Sequence, residues 1–213
     1  IPELAPTYDL PANHHYIGPV LWSPGVSMPD WWGRVPSDKP IIYITLGSSG
    51  RSDLLPALLH TFADIPVTLI AATAGRVTVD KTPDNIFLAD YLPGDAAVAR
   101  SQLVICNGGS PTTQQALTQG IQVLGIPSNL DQHLNMAAVC RRGAGVLIRS
   151  EQANAKKIRE TVMNMLKTPD YKKAATRLAR DFSKYPAPDR FTALVKEVMQ
   201  ATDTKYSDIT GSI

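Results

Sequence analysis

From Pro40 onward the chain alternates short apolar runs with longer segments whose apolar residues recur every three or four positions. The runs are IIYITLG, VTLIAAT, NIFLADY, QLVIC, QVLGIP and AGVLI. They are rich in β-branched residues and bounded by Gly, Pro or polar residues. Continuous apolar runs of that length predict parallel strands covered on both faces, not strands with one wet face. The intervening segments predict helices: SDLLPALLHTFAD with Ser52 as its N-cap, GDAAVAR, PTTQQALTQG closed by Gly120, and DQHLNMAAVCRRG closed by Gly143. Three more helices follow the last strand, at Glu151–Lys167, Pro169–Lys184 and Pro188–Gln200. The tail DTKYSDITGSI is polar and is expected to fray.

Residues 1–39 follow neither the period of a strand nor that of a helix for long. They are dense in Pro, aromatics and small residues, which predicts an ordered linker or wrapping segment with a short strand at His15–Ile17. Trp22, Trp31 and Trp32 are expected to pack on a neighbouring surface. The organisation expected is therefore a linker at 1–39, a Rossmann-like domain at 40–187, and a C-terminal helix and tail at 188–213. Regular strand–helix alternation implies an α/β fold, a doubly wound, Rossmann-like parallel sheet of six strands flanked by helices.

In the common 3-2-1-4-5-6 strand order, the first and fourth strands are neighbours at the topological switch point, where ligands bind outside the carboxyl ends. The loop after the first strand is Gly47-Ser48-Ser49-Gly50, and the loop after the fourth is Asn107-Gly108-Gly109-Ser110. Both glycine-rich loops therefore fall on one crevice.

The second loop opens a helix. Gly108 and Gly109 let a ligand approach the main chain. Ser110 suits the N-cap, and Pro111 is tolerated in the first turn. The free amides and positive dipole end of that helix favour an anion, with Thr112 and Thr113 as added hydroxyl donors. Neither GxxxxGK[ST] nor GxGxxG is present. A Gly-Gly pair that only permits a tight strand-to-helix turn remains the alternative. At the next strand–helix junction, Asp131 and Gln132 stand at a helix start, with Asp131 either an N-cap or, with Gln132, a partner for sugar hydroxyls. His133 follows them as a helix residue, and His14, His15 and His60 lie outside the crevice.

Composition narrows the chemistry. Hydrophobic residues make up 44% and charged residues 19% of 213 residues, the proportions of a globular protein. A net charge of +2 with no Lys/Arg run gives no nucleic-acid footprint. No stretch approaches the roughly 20 apolar residues of a membrane span. Cys106 and Cys140 form no metal-type cluster; Cys106 ends an apolar run and reads as a buried core thiol in a reducing, cytoplasmic setting. No Asp-x-Asp pair and no His/Cys/carboxylate spacing suggests a metal, so a leaving diphosphate would depend on amides and hydroxyls. No Ser-His-Asp or Cys-His arrangement suggests a self-contained hydrolase. The chain starts Ile-Pro-Glu, without Met or a signal-peptide pattern, and is expected to be a piece of a longer polypeptide.

These residues resemble the C-terminal, donor-binding half of GT-B glycosyltransferases of the UDP-glycosyltransferase superfamily. YIGPVLWSP resembles the family's interdomain linker, and KPIIYITLGSSG its P-x-V-Y-V-S-x-G-S strand. ADYLPGDAAVARSQLVI and NGGSPTTQQALTQGIQVLGIPSNLDQHLNMAAVCRRGAGVLI resemble its next two motifs, in order and spacing. The resemblance implies that Tyr91 stands where the family places an aromatic or nearby backbone against the nucleotide base. It also implies that Gly94 replaces a Gln that contacts the ribose, and that Gly109, Thr112 and Thr113 cradle the diphosphate with Ser48 and Ser49 opposite. Asp131 and Gln132 match the pair that holds donor-sugar hydroxyls. Asn107 stands where the family has His, and Pro111 where it has Gly or Asn.

The function implied is the donor-binding half of an inverting glycosyltransferase. It would use UDP- or dTDP-sugar as substrate, with no cofactor or metal, and a small lipophilic acceptor. The acceptor domain and general base are expected N-terminal to Ile1, so the isolated chain is expected to transfer little. Alternatives are a sugar-nucleotide epimerase or MurG-like transferase, and a non-catalytic donor-binding subunit or regulator. PDRFTALVKEVMQ resembles the helix that returns toward the N-terminal domain.

Overall fold

A computed structural model describes residues 1–79 and 82–210, with side chains described up to residue 200. Six strands form one parallel sheet: β1 (Ile41–Thr45), β2 (Thr68–Ala72), β3 (Ile86–Ala89), β4 (Leu103–Cys106), β5 (Gln122–Gly125) and β6 (Gly145–Leu147). Their order is β3-β2-β1-β4-β5-β6, the doubly wound arrangement that the alternation predicts. Every pairing is parallel, and Thr45 of β1 lies in register with Ala72 of β2 and Cys106 of β4. The two glycine-rich loops therefore leave adjacent strands at the same end of the sheet.

The helices are α1 (Leu55–His60), α2 (Gly94–Ala99), α3 (Ser110–Thr118), α4 (Leu130–Arg141), α5 (Ala155–Lys167), α6 (Pro169–Phe182) and α7 (Ala187–Thr210). On one sheet face, Ile42, Ile44, Leu69, Leu103 and Ile105 share a buried cluster with Leu55, Leu58 and Leu59 of α1 and Ile158, Val162 and Met165 of α5. The alternate positions, Tyr43, Ile70, Val104 and Val123, are buried as well. Burial on both faces is what uninterrupted apolar strands require.

The chain divides into two compact units, one of Leu21–Arg180 and one of Ile1–Val20 with Asp181–Ile213. The first holds the sheet. In the second, the Tyr16 hydroxyl lies 2.7 Å from Ala5 O, and the Arg190 guanidinium stands 4.5 Å from the centre of the Tyr185 ring.

Several expected boundaries move. Residues 15–17 form no strand. Ser52 is not a helix cap but opens a 3-10 turn, Ser52–Leu54, and α1 follows with Pro56 in its first turn. Proline lacks an amide and sets its own φ, so the regular helix starts beside it instead of two residues earlier. The helix expected from Glu151 likewise begins as a 3-10 turn; α5 starts later, where Asn154 accepts from the Lys157 amide as N-cap. Residues 203–210, expected to fray, continue α7, and residues 211–213 lie outside the described residues. Trp31 and Trp32 do pack, with Trp31 Nε1 donating to Leu88 O and its ring 5.5 Å from that of Phe87. Trp32 lies under the Arg100 guanidinium. Trp22 does not pack: it is 71% exposed. Among the described residues no helix is long and apolar enough to cross a membrane.

Candidate functional site

The carboxyl ends of β1, β2 and β4 open onto a cavity of about 460 Å³. Its walls include Gly47, Ser48 and Ser49 after β1, Asn107 and Gly109 after β4, and Pro111 and Thr112 of α3. Ala74, Asp90, Tyr91, Leu92, Gly94, Gln115, Trp22 and Pro24 line it as well. Tyr43 and Thr45 reach it from β1.

The two glycine loops are bonded to each other. Asn107 Nδ2 donates to Ser49 Oγ at 3.3 Å, and Asn107 Oδ1 accepts from the Gly109 amide at 3.0 Å. Gln132 Nε2 also donates to Ser49 Oγ, at 3.3 Å. Ser49 Oγ thus accepts twice, which leaves its O–H to donate. Arg76 ties the β1 loop from outside, donating to the carbonyls of Ser48 and Gly50.

The entry into α3 differs from the expected one. Gly109, extended at φ −65° and ψ 148°, is the N-cap, and Ser110 is already helical. Asn107 holds the Gly109 amide in place, so no side-chain cap is required at Ser110. The first ladder bond runs from the Thr113 amide to Gly109 O. Helix geometry therefore leaves the Ser110 and Thr112 amides without intrahelical acceptors, while Pro111 has no amide to offer. Thr113 is fully buried; its hydroxyl lies 3.1 Å from Gly109 O and accepts from Asn135 Nδ2 at 2.8 Å. That hydroxyl supports the turn instead of facing the cavity. Asn135 also donates to Gly108 O at 2.7 Å.

Asp131 and Gln132 do not share a rim. Asn129 is the N-cap of α4, accepting from the Gln132 amide, so Asp131 is not. Asp131 is exposed in the first turn, whereas Gln132 is 2% exposed. The Gln132 Oε1 accepts from the Ser128 amide at 2.9 Å and lies 3.2 Å from Ser128 Oγ. Adjacent helix positions point about 100° apart, so one faces water while the other faces the β1 loop. Neither lines the cavity, nor does His133.

Of the expected site residues, Gly47, Ser48, Ser49, Tyr91, Asn107, Gly109 and Thr112 line the cavity; Gly108, Ser110 and Thr113 stand behind or beside it. Thr45, Asp90, Gln115, Trp22 and Pro24 line it without having been singled out as site residues. Gln115 crowds Gly94: a Cβ there would sit 2.7 Å from Gln115 Oε1. Tyr91 donates to Ala74 O at 3.0 Å.

The wall is nearly uncharged. Among the described lining residues only Asp90 carries a charge, and Thr73 Oγ1 donates to it at 2.6 Å. Burial pushes the Tyr43 phenol up to about 12, and burial likewise pushes the Cys106 thiol up to about 12. Both stay protonated near neutrality and supply no base. Among the described residues, no group of three or more His, Cys, Asp or Glu could hold a metal ion. Helix amides and hydroxyls are what remains to meet an anion.

Residues 53–199 match the family described as the erythromycin biosynthesis protein CIII-like C-terminal domain. A PGL/p-HBAD biosynthesis glycosyltransferase of Mycobacterium tuberculosis is 57% identical over 190 residues, covering 87% of this chain and 44% of the relative. A PGL/p-HBAD biosynthesis rhamnosyltransferase of Mycobacterium bovis is 56% identical over 184 residues, covering 86% of this chain and 41% of the relative. The chain thus spans less than half the length of these relatives. Among solved structures, the Spinosyn Rhamnosyltransferase SpnG superposes with a TM-score of 0.77 at 25% identity, over 93% of this chain and 54% of that one. A structure of the same enzyme complexed with thymidine diphosphate gives 0.76 at 24% identity, over 93% and 54%.

Proposed function

We propose, from the premise that this chain belongs to the erythromycin biosynthesis protein CIII-like C-terminal domain family and is the C-terminal half of a GT-B glycosyltransferase, that its crevice binds the nucleoside diphosphate of a UDP- or dTDP-sugar for inverting transfer to a small lipophilic acceptor. The observation that carries this reading is the free amino end of α3 facing a cavity bounded by the hydroxyl-rich β1 loop. The diphosphate lies against the Ser110 and Thr112 amides, with the Ser48, Ser49 and Thr112 hydroxyls around it. The nucleoside extends toward Ala74, Tyr91 and Gly94, where Gln115 supplies a carboxamide that Gly94 lacks. Asp131, exposed at the start of α4, reaches toward the donor sugar.

In the transfer step an acceptor oxygen attacks the anomeric carbon. The bond from that carbon to the diphosphate oxygen breaks on the opposite face, and the acceptor proton passes to a base. Charge grows on the departing diphosphate, which the fixed α3 amides stabilise without reorganising. The one lining carboxylate, Asp90, is already engaged by Thr73 Oγ1, so we assign the base to an N-terminal acceptor domain. A second reading, a non-catalytic donor-binding subunit, is favoured by one feature: Asn107, unlike His, cannot place a positive charge beside the phosphates.

The test joins the N-terminal half of the Mycobacterium tuberculosis relative to this chain. Sugar transfer by the joined protein should exceed that by this chain alone by at least about 100-fold, the worth of a positioned general base. Robust transfer by this chain alone would overturn the assignment of the base. A folded, donor-binding hybrid without transfer would favour the non-catalytic reading.

A further inference from the structure

Trp22 is the one tryptophan that the packing leaves unused. Trp31 and Trp32 are engaged by Phe87, Leu88 and Arg100. Trp22 is 71% exposed, yet it lines the cavity at the switch point. Its main chain is anchored on both sides. The Gln115 side chain donates to Trp22 O, a link across 93 positions of sequence. Ser23 Oγ donates to Asp95 Oδ1 at 2.8 Å and accepts from the Asp95 amide at 3.3 Å. Pro93, the N-cap residue of α2, makes no side-chain cap bond, so Ser23 does the capping from a remote segment.

An exposed indole normally sits on a surface where its apolar area is covered or its N–H is bonded. Here a large flat ring lines a cavity, on backbone that hydrogen bonds anchor. The backbone that carries the ring is thus held before any ligand arrives, which lowers the ordering cost of a stacking contact. Trp22 stands beside Gln115, whose side chain bonds its carbonyl and crowds Gly94, and Gln115 lies more than one helix turn along α3 beyond Ser110, away from the helix start. With an anion at the start of α3, that part of the wall receives the flat, uncharged part of the ligand.

Resting on the donor-binding reading above, we propose that Trp22 stacks on the base of the bound nucleoside diphosphate, making the 22–24 segment part of the donor site. Tyr91, 55% exposed, lines the same cavity. Base–aromatic stacking tolerates any base, so Trp22 adds affinity without choosing between uracil and thymine.

The experiment compares the unaltered chain with Trp22→Ala and Trp22→Phe, titrated with UDP, dTDP and inorganic pyrophosphate. Trp22→Ala should weaken UDP and dTDP binding roughly tenfold or more, and Trp22→Phe by less. Pyrophosphate affinity should stay unchanged, and quenching of tryptophan fluorescence by UDP should vanish in Trp22→Ala. Unchanged nucleotide affinity in Trp22→Ala overturns the proposal and leaves the donor-binding reading standing. An equal loss for pyrophosphate also overturns it, because Trp22 would then act through the shape of the site. Absence of nucleotide binding by the unaltered chain overturns the donor-binding reading and this proposal together.

Discussion

A Gly108→Ala chain is expected to lose about 2–4 kcal/mol of stability, from the cost of a strained backbone added to that of an overpacked core. Gly108 has φ +82°, where a Cβ clashes with its own backbone. The added atom would sit 2.6 Å from Met136 Cγ and 3.3 Å from Gln132 O. Met136 cannot retreat easily: it is fully buried and also lies against Gly125, where a Cβ would meet its Cγ, Sδ and Cε. The Gly108 carbonyl is held as well, by Asn135. Urea unfolding should show a lower midpoint with an unchanged slope. Gly109→Ala is the control: its φ of −65° suits alanine, and its added Cβ would come no closer than 3.2 Å to Asn107 Oδ1. A Gly108→Ala loss below about 1 kcal/mol would mean that the turn repacks, contrary to the rigidity inferred for the cradle.

Gln132→Ala and Asp131→Ala should separate sharply although the residues are adjacent. Gln132 satisfies the Ser128 amide and steadies Ser49 across 83 positions of sequence. Its truncation leaves a polar group unpaired and a cavity behind, costing about 1–3 kcal/mol. The same change should weaken nucleotide binding, since Ser49 loses one of the two donors that orient its hydroxyl. Asp131→Ala removes an exposed carboxylate that caps nothing and should alter stability by no more than about 0.5 kcal/mol. Its effect is expected on the sugar, seen as weaker binding of a UDP- or dTDP-sugar with unchanged binding of the bare diphosphate. Equal stability losses in both variants would contradict this division.

The sheet was legible because parallel strands buried on both faces must be apolar throughout, and six such runs stand out between amphipathic segments. Their order followed from the topology common to that alternation, and the meeting of the two glycine loops followed from the order. Helix starts were less legible. Ser52, Ser110 and Asp131 all have cap-forming side chains, yet the caps are set by neighbours: Pro56 delays α1, Asn107 fixes Gly109, and Asn129 precedes Asp131. Type alone cannot say which of two adjacent polar residues turns inward, so Gln132 was grouped with Asp131. The contact of Trp22 with Gln115 on the cavity wall was not legible at all. It joins the segment before the sheet to the side of α3, and no local pattern encodes a contact of that range.

The most direct measurement is a calorimetric titration of this chain with UDP and with dTDP, in EDTA and again with magnesium. Saturable binding of at least one nucleotide, with the same affinity in both conditions, is the result expected if α3 amides and loop hydroxyls hold the diphosphate. Binding that requires the divalent metal, or no binding of either nucleotide, would contradict a metal-free diphosphate cradle at the β1–β4 crevice.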